Sequence, residues 1–322
     1  YVISYNANGG EGTMADGEKT YGIDYTIESN GFTYEYHTFT GWNTEADGSG
    51  TAYEAGATYT DNAALTLYAQ WSADTYTVTF TLGRGKDAGA TWEDTTTTNI
   101  VISLEVGEPI TEPSGQSWTG HEFAGWDADV PATMPEGNVI INALWNDIPY
   151  EATFTLGDGK GEGAVWADGT DDDIVQTYSY EDTIIAPDDP TWEGHQFEGW
   201  DNSVGTMPTE DVTFTATWSI LSYDITYYYN YEGADPESET FDLPYGTGYD
   251  DLEIPADPDR EGYTFIDWNT AADGSGESIE DFTSMPANDL VYYAIYEVDE
   301  YTITFDTDGG TAIDPITQDY GT

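Results

Sequence analysis

The sequence predicts an α+β protein made of tandem small domains, each a mixed sheet with one short helix, strung as beads on a string. Three recurring features predict it. A strand pattern, Tyr-x-aliphatic-x-aromatic, starts at Tyr1, Tyr76, Tyr150 and Tyr223, with a further start at Tyr301. Each full copy ends on Ala-x-aromatic: Ala69 to Trp71, Ala143 to Trp145, Ala216 to Trp218 and Ala294 to Tyr296. Between them lies Phe-x-x-Trp, at Phe39 to Trp42, Phe123 to Trp126, Phe197 to Trp200 and Phe265 to Trp268.

Successive starts are 75, 74, 73 and 78 residues apart. Solenoid units, at roughly 20 to 50 residues, are shorter and cannot bury a core alone. The period here fits small autonomous domains. The chain therefore divides into repeats 1–74, 75–148, 149–220 and 221–299, and an incomplete fifth at 300–322. Only a few residues separate each closing aromatic from the next Tyr, too few for a long flexible tether.

Within one repeat the elements follow in order. Alternation in Tyr76-Thr-Val-Thr-Phe80 places Tyr76, Val78 and Phe80 on one face of a half-buried strand. Glycine-rich turns follow, as Asn8-Gly9-Gly10, Gly83 to Gly85, Gly157 to Gly159 and Asp308-Gly309-Gly310, and supply the positive φ of a reversal. A Thr-rich return strand leads to a segment whose apolar spacing at Tyr245, Tyr249 and Leu252 predicts one or two helical turns, which its glycines weaken. The Phe-x-x-Trp strand, a connector and the closing strand complete the unit. A Met-Pro pair precedes the closing aromatic by eleven residues at Met134, Met207 and Met285, whereas the first repeat has Thr60-Asp61.

Composition bounds the class independently. The chain carries 63 acidic against 5 basic residues, a formal charge of -58, which excludes nucleic acid and anionic membrane as natural partners and attracts cations. Disordered acidic chains are poor in aromatics. Here aromatics form 15% of the chain and sit at fixed repeat positions, so the charge belongs to the surface and the rings to the cores. Cysteine is absent, which removes disulfides, thiolate metal sites and a Cys nucleophile. No apolar run is long enough to span a bilayer. The first residue already lies in a strand pattern and Thr322 inside the fifth copy, so the sequence reads as a window on a longer protein.

The motifs Tyr76-Thr-Val-Thr-Phe80, Gly41-Trp42-Asn-Thr-Glu-Ala-Asp-Gly-Ser-Gly50, Leu67-Tyr-Ala-Gln-Trp71, Glu261-Gly-Tyr-Thr-Phe265, Trp268-Asn-Thr-Ala-Ala-Asp-Gly-Ser-Gly276 and Tyr301-Thr-Ile-Thr-Phe-Asp-Thr-Asp-Gly-Gly310 resemble the Listeria–Bacteroides repeat, or internalin B-repeat. The resemblance covers essentially the whole chain. It implies a β-grasp-like unit, found in tandem in large microbial surface proteins as stalk, spacer or adhesion module, with no catalytic residues. Repeats 2 and 3 depart by lacking the Asp-Gly-Ser-Gly connector, and repeat 4 has Asp267 where the others have Gly. Two subtypes thus follow one another as A-B-B-A.

Candidate sites are weighed against this periodicity. His37, His121 and His195 each lie five residues before the central Trp, with Tyr263 at that position in repeat 4, which assigns them a structural role. With so many carboxylates, glycosidase-like pairs arise by chance, and the expectation is a non-enzyme without a cofactor. Calcium is the better functional reading of the acid, beside a solvated acidic surface suited to high salt, which accounts for it equally well. Asp306, Asp308, Asp171, Asp172, Asp173 and Asp47 are its candidate ligands, although none completes an EF-hand. Trp42, Trp126, Trp200, Trp268, Trp71, Trp145, Trp218 and Tyr296 are expected in the cores. Trp118 and Trp192 occur only in repeats 2 and 3 and are candidates for sugar stacking or contact between units. Lys-Asn cross-links in every unit are excluded, because Lys19, Lys86 and Lys160 are the only lysines. The expected setting is the cell surface. The expected partners are neighbouring repeats or copies of the chain, with surface glycans or a host receptor as a further class, and an edge strand that pairs with another chain would give a filament or sheath.

Overall fold

The computed structural model describes residues 1–234 and 237–322. They form two compact units, Tyr1–Ile148 and Pro149–Thr322. The first holds repeats 1 and 2; the second holds repeats 3 and 4 and the start of the fifth.

Every full repeat builds one mixed sheet in the order return, opening, closing, central. The opening strands are Val2–Asn6, Thr75–Thr81, Tyr150–Thr155 and Ser222–Tyr228. Their return partners are Gly17–Glu18, Ile100–Glu105, Ile174–Tyr178 and Ser238–Pro244. The central strands are His37–Asn43, His121–Trp126, His195–Trp200 and Tyr263–Asn269. The closing strands, Leu65–Ala73, Val139–Asp147, Val212–Ile220 and Leu290–Val298, run parallel to the opening strand and antiparallel to the central one. Parallel neighbours require a long crossover, here the return and central strands themselves. The fifth start is a hairpin of Glu300–Ile303 with Ile316–Asp319.

The Phe-x-x-Trp motif is a β-bulge. Side chains three apart on a regular strand face opposite sides. In each central strand the register slips between Phe39 and Gly41, Phe123 and Gly125, Phe197 and Gly199, and Phe265 and Asp267. The extra residue turns both rings to the same face, where Phe and Trp meet edge to face or tilted at 5.0, 5.1, 5.3 and 5.5 Å. Gly41, Gly125 and Gly199 take the positive φ of the bulge, whereas Asp267 forms its slip without it.

Each core gathers on that face. Ile3 and Leu67, Val78 and Ile141, Ala152 and Phe214, and Ile225 and Tyr292 are buried beside the invariant Ala69, Ala143, Ala216 and Ala294. Met134, Met207 and Met285 are buried too, and their carbonyls accept from the N–H of Gly107, Glu181 and Gly246. In repeat 1, which lacks Met-Pro, Asn62 Oδ1 accepts the equivalent Gly22 N–H at 2.8 Å. Each Met thus fills the core and ties down the positive-φ turn after the return strand.

The expected helix of one or two turns is reduced. Repeat 4 forms only a 3₁₀ turn at Tyr249–Asp251, with another at Ile279–Asp281. Repeats 2 and 3 carry theirs at Gly83–Gly85 and Gly157–Gly159, in the first turn. Gly246 at φ 80° and the extended Gly248 break the Tyr245–Leu252 segment before a helix can propagate.

The subtypes differ where the connector runs. In repeat 1 it adds Ala52–Tyr53 beside the central strand, and Trp42 is 1% exposed. Trp268 in repeat 4 is likewise 2% exposed, whereas Trp126 and Trp200, without that cover, are half-buried.

Candidate functional site

One three-group aromatic stack recurs beside every sheet. Trp118 lies flat on His121 with ring centres 3.4 Å apart and meets Trp145 edge-on at 5.8 Å. Trp192 repeats this with His195 at 3.5 Å and Trp218 at 5.5 Å. Tyr34 does so with His37 at 3.9 Å and Trp71 at 5.7 Å. In repeat 4 a cation takes the middle place: Arg260 lies 3.7 Å over Tyr263 and 5.1 Å from Tyr296. The histidines are thus stacking partners that the chain presents three residues after the ring they cover.

Trp118 and Trp192 are therefore counterparts of Tyr34 and Arg260, which the sequence conceals behind a change of residue type. Their free faces are taken. A Cβ on Gly85 would lie 3.0 Å from the Trp118 ring, and one on Gly159 3.1 Å from Trp192, so each indole sits between a glycine and a histidine. Their Nε1 groups donate to Ala88 O at 2.9 Å and Glu162 O at 3.1 Å.

The closing aromatic is chosen for its donor. Trp71 Nε1 donates to Ala7 O, Trp145 Nε1 to Leu82 O, Trp218 Nε1 to Leu156 O and the Tyr296 hydroxyl to Tyr229 O, all at 2.9 Å. The accepting carbonyls occupy one repeat position in the first turn. Phe, equally apolar, has no group to donate there.

Carboxylates are held ionised by local bonds. The Ser49 hydroxyl and N–H donate to Asp47 and keep its carboxyl below the usual range. Asp273 with Ser275, Asp94 with Thr96 and Asp168 with Thr170 repeat that turn. Asp173 is lowered chiefly by Lys160, whose Nζ lies 2.8 Å away. Asp172 serves through its backbone, accepting from Trp166 Nε1 at 2.7 Å, and Asp306 accepts the Asp308 N–H at 3.1 Å. Among the described residues the six calcium candidates, Asp47, Asp171, Asp172, Asp173, Asp306 and Asp308, do not converge, and no group of three or more His, Cys, Asp or Glu is arranged around a common point. Every resolved carboxyl shift is downward, the opposite of what a general acid needs.

Two sites the sequence reading missed are polar and buried. Lys19 is 1% exposed, its Nζ donating to Ile23 O and Thr20 O with Asn62 Oδ1 at 3.5 Å. Asn43 and Asn269, directly after the central Trp, bond to the connector that covers it: Asn269 Oδ1 accepts from Ala271 N and Gly276 N, and its Nδ2 donates to Gly276 O. In repeats 2 and 3 Asp127 and Asp201 stand there and accept instead from Asn142 N and Thr215 N of the closing strand. The Asn-to-Asp exchange at one position was the available signal. Where the connector is missing in repeat 2, a shallow concavity of about 430 Å³ opens over Thr81, Arg84, Asp127, Asn142 and Trp145.

These features define a class: an array of small sheets whose recurring polar and aromatic groups serve packing. The model of the Listeria-Bacteroides repeat domain matches residues 1–70, 76–136, 150–228 and 223–295, and the chain belongs to that family. It is 30% identical over 315 residues, 92% of its length, to a protein of Evansella cellulosilytica named as a Gly-rich membrane protein, covering 32% of it. It is 31% identical over 320 residues to a second membrane protein of that organism, covering 91% of this chain and 43% of that one. Internalin H of Listeria monocytogenes is 30% identical over 158 residues, 46% of this chain and 27% of the internalin. The chain thus spans less than half the length of these relatives. The TIE protein of Bacillus anthracis aligns with 77% of this chain, which covers 54% of it, at 10% identity and a TM-score of 0.28, a likeness too slight for argument. Family and relatives point to a structural repeat region of surface proteins. Among the described residues no helix is long and apolar enough to cross a membrane.

Proposed function

We propose that this chain is a semi-rigid spacer in a large extracellular surface protein, built of β-grasp-like units. The observation that carries this reading is the linker between repeats. Leu221 donates its N–H to Gly194 O of repeat 3 at 2.9 Å and accepts from Tyr245 N of repeat 4 at 2.8 Å. Asp299 does the same between Gly262 O and Tyr320 N, both at 2.9 Å. In the first unit Asp74 donates to Tyr36 O at 2.8 Å and its carboxylate accepts from the Thr38 hydroxyl. The Leu221 and Asp299 linkers are bonded to both repeats they join, so bending at those joints must break hydrogen bonds rather than merely turn a tether.

The test is the length distribution of the protein in solution by small-angle scattering. Inserting Gly-Ser-Gly-Ser after Leu221 is expected to shorten and broaden it; an unchanged distribution would overturn the spacer reading.

A filament is the second reading, favoured by the edges of the B-type sheets, where among the described residues the return strand Ile100–Glu105 and the central strand His121–Trp126 are the outermost strands of the sheet. Lateral or end-to-end contacts seen by electron microscopy at both low and high salt would support it; dispersed single molecules at every protein concentration would not. Sugar or receptor binding at Trp118 or Trp192 would have to use what the stacked His121 and His195 leave uncovered. For the acidic surface we infer screening by cations, with calcium adding more only where carboxylates can converge. A rise in Tm with calcium no larger than that with sodium at equal ionic strength is the outcome expected of screening.

A further inference from the structure

At two joints of the second unit a tyrosine of one repeat sits where the preceding repeat has no side chain. A Cβ on Gly194 would collide with the ring of Tyr245, and one on Gly262 with the ring of Tyr320. The same knob rings meet the next residue edge-on, Tyr245 at 5.8 Å from His195 and Tyr320 at 6.4 Å from Tyr263. Both glycines sit at positive φ, 71° and 75°, at the turn that opens the central strand.

The first unit inverts the sizes. Its notch position is Tyr36, with φ 57°, and the knob position in repeat 2 is Val106, next to Gly107 as Tyr245 is next to Gly246. The Asp74 N–H donates to Tyr36 O at 2.8 Å as the Leu221 N–H does to Gly194 O at 2.9 Å, which fixes Tyr36 at the notch position. A large notch residue thus accompanies a small knob, and the absent side chain accompanies a large one.

We propose that this knob-and-notch pair is a size-matched recognition interface that decides which repeats can be neighbours. Tyr21 of repeat 1 is the same knob, two residues past the Lys19 N–H that donates to Tyr1 O and beside Gly22 at φ 70°. It is 76% exposed, with Ile23 beside it at 62%. Because the equivalent surface is docked at both joints of the second unit, the occupant of the Tyr21 face is the Gly-notched end of another repeat of this family. A Tyr-notched repeat such as repeat 1 is refused.

The proposal deepens the spacer reading, yet a spacer with no size rule is equally possible, and the two are read separately. The measurement is hydrogen exchange at the Leu221 and Tyr245 amides, which bond across the joint, in the 322-residue protein. Gly194→Tyr is expected to speed both by about tenfold or more while Phe154 and Thr213 inside repeat 3 stay protected. Adding Tyr245→Val, which recreates the Tyr36 and Val106 pair, restores slow exchange. Tyr245→Ala, which empties the notch without straining the backbone, is expected to act like the single Tyr variant and covers the case in which Gly194→Tyr unfolds repeat 3. Failure of the double variant to recover, or no acceleration in Tyr245→Ala, would overturn the size rule. For Tyr21, a copy of residues 149–222 fused ahead of Tyr1 is expected to slow exchange at the Tyr21 amide, and a copy of 1–75 is not. Equal slowing by the two copies, or none, would overturn the docking assignment.

Discussion

Repeats 3 and 4 lay four strands in one order, but they close their cores with different chemistry. Repeat 3 lines its core with Phe154, Leu156, Phe214 and Trp218, leaves Trp200 half-buried, and takes the short path from central to closing strand. Repeat 4 places Tyr227, Tyr229, Tyr292 and Tyr296 at those same positions and covers Trp268 with a long connector. Its hydroxyls need partners. Tyr229 donates to Glu239 and Tyr296 to Tyr229 O, while Tyr227 OH and Trp268 Nε1 are buried with no partner among the described residues. The first part of the connector is stapled by Asn269 and by Asn230, whose Nδ2 donates to Ala272 O at 2.9 Å and to Ala294 O of the closing strand at 3.0 Å. One topology thus tolerates either an apolar core with an open flank or a hydroxyl-bearing core under a fastened loop, most of whose buried polar groups are bonded.

Alkaline pH is expected to break this comparison most strongly. Burial pushes Tyr229 and Tyr296 up to about 12 and raises Tyr227 and Tyr292 as well. A folded pKa above the unfolded value, about 10, means the neutral phenol supports the fold fully below pH 10 and that support is lost as pH rises through the folded values. Repeat 4 should therefore open before repeat 3 in a pH series followed by hydrogen exchange and mass spectrometry; simultaneous opening would show that its phenols do not govern it.

Next in size, Trp268→Ala should cost about 3–5 kcal/mol, more than Trp200→Ala, because Trp268 is the more deeply covered ring. Denaturant midpoints of the two variants measure the difference, and equal shifts would mean that the connector shields Trp268 without packing on it.

Asn269→Ala should cost roughly 1–3 kcal/mol by leaving the connector amides unpaired, with Asp201→Ala costing less on its exposed flank. Exchange at the Gly276 amide reads the loss directly. The smallest effect expected is a change within about 1 kcal/mol for Tyr227→Phe, neutral or stabilising, since it deletes a hydroxyl that has no partner among the described residues. A clear loss of thermal stability there would point to a partner such as bound water.

Much of this was legible in the chain. The alternation of Tyr76, Val78 and Phe80 marks a strand because period two is a local property, and the recurrence of the pattern marks the array. The apolar positions Tyr245, Tyr249 and Leu252 misled toward a helix, since their spacing also suits a chain reversed by Gly246 and closed by a 3₁₀ turn. The equivalence of Trp118, Tyr34 and Arg260 was hidden, because stacking on the following His or Tyr accepts an indole, a phenol or a guanidinium alike. Whether the calcium candidates converge was not legible in the chain, because ligand convergence is a property of positions in space.

By itself the sequence determined the period, the strand-rich repeat, the A-B-B-A subtypes, the acidic surface and the family, all of which rest on local spacing or composition. Only the tertiary structure decided that opening and closing strands pair in parallel across about 60 residues, that Phe and Trp share a face through a bulge, and that a glycine receives a tyrosine from the next repeat. Those outcomes depend on pairing between distant segments, and hydrogen-bond register and steric fit between such segments have no local signature in the chain.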